Sequence, residues 1–220
     1  MLQKSTLDFL KSLEKNNNRD WFTKNKNQFE EAKNDFQNFV QELILGISKF
    51  DKSIAGLEAK NCVFRIYRDF RFSKDKKPYK ANFGASINRG GRKMPFAGYY
   101  IHIQPTESFL GGGMHIPDPD RLQKVRQEIL YNTKDFKKII GSSSFKKYFE
   151  KLWEEDKLKI APKNFPKDHP DIDLLKYKSY IAAHTIKENQ VLSKDFLKHC
   201  VTVFKELKPM NDFLNAAVSE

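Results

Sequence analysis

Two cysteines in 220 residues cannot build a disulfide framework. Cys62 and Cys200 lie far apart, with no CxxC and no Cys/His ligand spacing, so both read as reduced thiols that pack as small hydrophobes. Five histidines (His102, His115, His169, His184 and His199) show no HExxH or comparable spacing, and no metal or cofactor is implied. The opening MLQKSTLDFLKSLEK lacks a continuous apolar h-region, and no stretch approaches the roughly 18 apolar residues of a membrane span. The expectation is a soluble, cytoplasmic chain without a membrane partner. GxGxxG, GxxxxGK[ST] and GxSxG are all missing, as are helix-turn-helix, zinc-finger and RNA-recognition signatures. Repeats and low-complexity segments are absent too, which leaves one domain over 1–220 as the simplest reading.

Phenylalanine is plentiful. Nineteen of them supply core volume at about 150–250 Å² of buried surface per ring. Leu7, Leu10 and Leu13 mark a short first helix with Ser5 or Thr6 as its cap. Asn18 can cap a long second helix whose stripe runs Phe22, Phe29, Ala32, Phe36, Phe39, Val40, Leu43, Ile47 and Phe50. This helical part occupies 1–55. The period then falls to two in a sheet core of about 60–115. Strands are expected at Cys62 to Tyr67, Phe83 to Arg89, Ala97 to Gln104 and Ser108 to Leu110, the last running into a turn at Gly111, Gly112 and Gly113.

Helices then return. Asp118-Pro119, Thr133, Ser142 and Ser193 mark their starts, and Pro209 marks a break in the last one. A further strand is expected near 176–184. The class is α+β: an antiparallel meander of four to five strands flanked by N-terminal and C-terminal helices.

Charge is concentrated rather than spread. Lys60 to Lys93 carries eleven Lys or Arg against two Asp, Asp69 and Asp75, and so supplies +9 of the chain's +12. A local cationic cluster is a candidate anion-binding surface. Arg65, Arg68 and Arg71 are placed to clamp an anion through bidentate guanidinium contacts, with Lys76 and Lys80 in support. Tyr79, Tyr100 and His102 are placed to shape the pocket. The alternative for the same charges is an ion-pair web that pins a loop to the sheet. On the sheet's polar face the alternation gathers Arg65, Tyr67, Ser86, Asn88, Tyr100, His102 and Gln104. Asp69 and His102 are the candidates for proton transfer, should the site be catalytic. The interleaved Phe70, Phe72, Tyr79 and Phe83 leave nucleic acid open as a second partner class. An enzyme acting on a phosphorylated substrate is a third reading.

RxxRDxRF followed by DKxPYK (Arg65, Arg68, Asp69, Arg71, Phe72, Asp75, Lys76, Pro78, Tyr79 and Lys80) resembles the signature of a widespread, mainly bacterial family, domain of unknown function 2461. The resemblance extends to NRDWF around Trp21, the GYYIHI strand, SFLGGG, PDPD, the DHP loop and the tail from Ser193 to Asn215. The family pattern often has an aromatic residue where this chain has His115. The resemblance implies a one-domain cytoplasmic protein of about this length and transfers no activity. The function read from the residues is therefore binding of a phosphate-bearing or otherwise anionic ligand through an Arg/Lys loop beside an antiparallel sheet.

Overall fold

The computed structural model describes residues 1–69 and 76–219. The three-four spacing of the N-terminal apolar residues forms α1 (Lys4–Lys15), α2 (Arg19–Lys24) and α3 (Lys26–Ser48). Phe29, Ala32, Phe36, Phe39, Val40, Leu43 and Ile47 form the buried stripe of α3, and Leu7, Leu10 and Leu13 of α1 pack against that helix. No side chain caps α1. Its first turn is instead tied to α3, because Asp35 accepts from the Thr6 hydroxyl (2.6 Å) and the Gln3 backbone N–H (2.9 Å). Asn18 caps α2 by accepting from the Trp21 N–H at 2.9 Å. The single long helix expected from there is split. Asn25 leaves the helical region (φ −106°, ψ 20°) and its side chain donates to the Trp21 carbonyl at 2.8 Å, a local bond that competes with the ladder.

Four strands form one antiparallel sheet in the order β1 (Phe83–Ile87), β2 (Gly98–Ile103), β3 (Phe109–Met114) and β4 (Tyr180–Thr185). Period-two alternation places Phe83, Ala85, Ile87, Tyr99, Ile101, Ile103, Leu110, Met114, Tyr180 and Ala182 in the buried layer beneath the helices. The fold is α+β, as expected.

Cys62 to Tyr67 is not a strand. Cys62 closes a short helix, α4 (Ala59–Cys62), and the chain beyond it makes only isolated bridges, Val63 with Ala85 and Tyr67 with Tyr79. The two bridges have different partners, so the segment bends near Ile66 instead of continuing along β1. Cys62 and Ile66 are buried while Phe64, expected on their side, faces out. The predicted strand near 176–184 is β4, shifted to begin at Tyr180.

Helices α5 (Pro119–Tyr131), α6 (Thr133–Gly141) and α7 (Ser143–Phe149) follow β3. Asp118 caps α5 by accepting from the Arg121 N–H at 3.0 Å, and Ser142 caps α7 by accepting from the Phe145 N–H at 3.2 Å. The short helices α8 (Ile172–Leu175) and α9 (Glu188–Val191) flank β4, and α10 (Phe196–Ala216) crosses beneath the sheet.

Pro209 does not break α10. An interior proline costs about 3 kcal/mol, but the turns after it are anchored to the start of β2. Asn211 donates to the Gly98 carbonyl (3.1 Å), Asn215 exchanges bonds with both backbone groups of Ala97 (2.8 and 3.0 Å), and Met210 and Leu214 are buried.

The glycine run is strand interior, not a turn. A Cβ on Gly112 would collide with the Gly98 carbonyl oxygen and lie 2.8 Å from Leu207 Cδ1 on α10. Gly112→Ala is therefore expected to cost about 1–3 kcal/mol or more in denaturant unfolding. Gly141→Ala, where nothing lies within 4 Å, is expected to be neutral or slightly stabilising. Equal stability of the two variants would contradict this packing.

Candidate functional site

The sheet's other face carries Ser86, Tyr100, His102, Phe109, Gly111, Gly113, Ile181 and Ala183. Its centre is low, because β3 offers only hydrogen atoms there and β4 a methyl group. Beyond β1 the Phe64 N–H donates to the Gly84 carbonyl at 2.9 Å, and beyond β4 the Trp153 N–H donates to the Ile181 carbonyl at 2.8 Å. These flanking segments raise walls at both sheet edges. Loop residues 92–96 and 115–118 close one end, leaving a groove of ≈ 930 Å³.

Four large apolar side chains line the groove while still exposed: Phe64 (37 %), Met94 (44 %), Ile116 (65 %) and Trp153 (46 %). Clustering of such residues at one concavity is a mark of a binding surface. Ile116 is also strained. It is β-branched with φ +44°, a left-handed conformation costing roughly 1–3 kcal/mol, and its N–H is held by the Ser179 hydroxyl at 2.9 Å.

One polar chain runs along β2 into the loop that follows. Gln104 donates from its amide to Glu107 (3.4 Å), which turns its Oε1 toward His102 Nε2 at 3.2 Å. A carbonyl oxygen only accepts, so Nε2 carries the imidazole proton and Nδ1 is the acceptor. Nδ1 then receives the Tyr100 hydroxyl (3.2 Å) and the Asn82 amide (3.4 Å). With its proton committed to His102, Tyr100 presents an acceptor oxygen to the groove. Burial pushes the Tyr100 hydroxyl up to about 12, so it stays protonated. Burial also holds His102 below the ordinary histidine value; the Gln104 bond and Glu107 act against that shift, and nearby Lys80 adds to it. Phe109 stacks on the imidazole with ring centroids 4.8 Å apart, and a Cβ on Gly84 would stand 2.7 Å from the Tyr100 hydroxyl. The Tyr100 position thus depends on a glycine at 84.

Of the residues singled out from the sequence, Lys80 and Tyr100 line the groove. Lys80 lies over the Phe64 ring at 5.6 Å, and its pKa is lowered first by burial, then by Arg65 and Arg68. Those two arginines share its neighbourhood without lining the groove; Arg65 is exposed and Arg68 half-buried. His102 acts on the groove through Tyr100. Asp69 and Lys76 are exposed away from it. Tyr79 belongs to the core, stacked on Phe22 at 3.9 Å. Arg71, with Phe70, Phe72, Lys74 and Asp75, lies outside the described residues.

Sequence reading missed Met94, Ile116, Trp153, Glu155 and Asp156, and the strand expected at Cys62 to Tyr67 put Phe64 on the apolar side with Cys62 and Ile66. Nothing in local periodicity marks these residues. They come together because loops far apart in the chain flank opposite sheet edges. The acidic Glu154-Glu155-Asp156 run beside Trp153 was the one visible signal.

A second polar cluster lies inside. His184 Nδ1 donates to the Tyr148 carbonyl at 2.9 Å, and the His184 and His199 rings are 5.5 Å apart. Both Nε2 atoms are buried, and no partner for either is found among the described residues. Burial and the adjacent His184 lower the His199 pKa. Both thiols are buried as well; burial raises Cys62 to about 11 and Cys200 further. Among the described residues, no group of three or more potential ligands could hold a metal.

His102 and His199 are both neutral in the fold and protonate more readily when unfolded. Stability from these two is complete above the ordinary histidine value of about 6.5 and declines as pH falls below it. The melting temperature should therefore drop between pH 7 and 5, as the unfolding free energy falls by at most about 1.4 kcal/mol per pH unit for each imidazole. His199→Phe should flatten the decline, and an unchanged slope would contradict the assignment.

No curated protein and no solved structure matches the chain. Among the described residues no helix is long and apolar enough to cross a membrane. A family model described as conserved hypothetical protein (DUF2461) matches residues 5–213, which is nearly the whole chain, and the protein belongs to that family.

Proposed function

We propose that the groove binds a small ligand through a phosphate or other anionic group seated at Lys80. The observation that carries this reading is the Lys80 ammonium. It is partly buried at the groove wall with Arg65 and Arg68 close enough to disfavour its charge, and no described carboxylate is within ion-pair distance. An anion arriving there favours the Lys80 charge that burial and the neighbouring arginines disfavour, and gains charge-assisted hydrogen bonds of about 1.5–3 kcal/mol. Phe64, Met94, Ile116 and Trp153 offer apolar surface to the rest of the ligand, and Tyr100 offers an acceptor to a ligand hydroxyl or amine. A volume of ≈ 930 Å³ suits a metabolite-sized molecule.

Nucleic acid, the other candidate for this basic surface, fits less well. A polyphosphate crossing the groove meets Asp118, Glu155 and Asp156 on its far side.

The test is calorimetric titration of inorganic phosphate, glycerol phosphate, a nucleoside monophosphate and a short DNA duplex at two salt concentrations into wild type, Lys80→Ala and the surface control Lys134→Ala. Saturable one-to-one binding, weakened about tenfold or more by Lys80→Ala alone, is expected. Binding indifferent to Lys80→Ala would overturn the reading. So would binding confined to oligonucleotides with a salt slope near −0.9 per phosphate.

A further inference from the structure

The charges lining the groove are segregated. Lys80, Arg92 and Lys93 stand on the β1–β2 half, while Asp118, Glu155 and Asp156 stand on the β3–β4 half. Two of the six are already engaged: Arg92 donates to the Lys60 carbonyl at 3.0 Å, and Asp118 caps α5 and pairs with Arg121. Lys80 and Lys93 on one side, and Glu155 and Asp156 on the other, have no ion pair among the described residues. The floor between them is uncharged, formed by Ser86, Tyr100, Gly111, Gly113, Ile181 and Ala183.

Polarity follows the same division. The positive half offers donors. On the β1 side Asn88 is 5 % exposed and lines the groove; its amide nitrogen bonds to the Met94 and Phe96 carbonyls, and no partner for Oδ1 is found among the described residues. Toward the middle comes an acceptor, the Tyr100 oxygen. The carboxylates of Glu155 and Asp156 stand beyond. A ligand lying across the floor therefore meets cations at one end and carboxylates at the other.

We propose that the ligand is an elongated zwitterion whose anionic group sits at Lys80 and whose ammonium or guanidinium end sits at Glu155 and Asp156, with a hydrogen-bond donor between. This rests on the anion-site reading of Lys80 and extends it to a second pole. Length follows from the fold. The Phe64 and Trp153 segments flank a four-stranded sheet, so their backbones are five strand intervals apart, about 24 Å at 4.8 Å each. Side chains reaching in from both walls leave on the order of 10–15 Å between the ligand's charged ends.

The experiment titrates a graded series of linear aminoalkyl phosphates into the full chain, beside the alkyl phosphates of equal length that lack the amine. The terminal amine should raise affinity about five- to tenfold at a preferred chain length. The gain should vanish in Glu155→Gln/Asp156→Asn, while that variant binds plain alkyl phosphates like wild type. Lys80→Ala should weaken both series. If alkyl phosphates bind and the amine adds nothing at any length, the zwitterion proposal fails and the anion site stands. An amine gain that survives in the double variant also overturns it, because the carboxylates are then not the receiver. If neither series binds wild type, the anion-site reading falls as well.

Discussion

The whole arrangement depends on a strand whose centre has no side chains. From Gly111 to Gly113, β3 is thin in both directions. On the inner side Gly112 lets α10 approach until Leu207 touches the backbone, and β3 with α10 is the most extensive helix–sheet contact in the molecule. On the outer side Gly111 and Gly113 lower the floor, with Tyr100 rising beside them. Packing and concavity are two consequences of one missing set of Cβ atoms. Glycine weakens a strand interior, and the β3 ladder is compensated by pairing with β2 on one side and β4 on the other. Gly113 adds a positive φ of 108°, which a side chain rarely adopts.

Electrostatics then give the groove a direction. A chain with net charge +12 would be expected to meet any ligand with positive potential alone. Instead the loop after α7 places Glu155 and Asp156 on the wall opposite Lys80. The neutral His102 contributes by fixing where the Tyr100 proton goes, and therefore which hydrogen-bonding role the groove floor presents. Its stacking on Phe109 and its bond to Gln104 make that choice a property of the strand rather than of a mobile side chain.

Much of the fold was legible because the signals were local. The α3 stripe, the alternation of β2, and the caps at Asn18, Asp118 and Ser142 each need only neighbours in sequence. Readings failed where distant contacts decide. Pro209 looks like a stop until Asn211 and Asn215 are seen bound to the start of β2. Cys62 to Tyr67 alternates like a strand, yet its bridges have different partners. The site was half legible for the same reason. The basic stretch pointed to Lys80, and alternation pointed to Tyr100 and His102. Tyr79 carries the same motif but is taken up by a stack on Phe22, and Trp153 reaches the groove only because its segment lies along β4. Composition locates charge; topology decides what the charge faces.

Amide mapping by nitrogen-15 NMR tests the central claim most directly, because glycines ring the groove and also occur far from it. On titration with glycerol phosphate, the amides of Gly98, Gly111, Gly112 and Gly113 should shift together and saturably, while Gly56 and Gly141 stay fixed. Shifts at Gly56, Gly141 or other remote amides, with the four groove glycines unmoved, would contradict the assignment of the groove as the binding site.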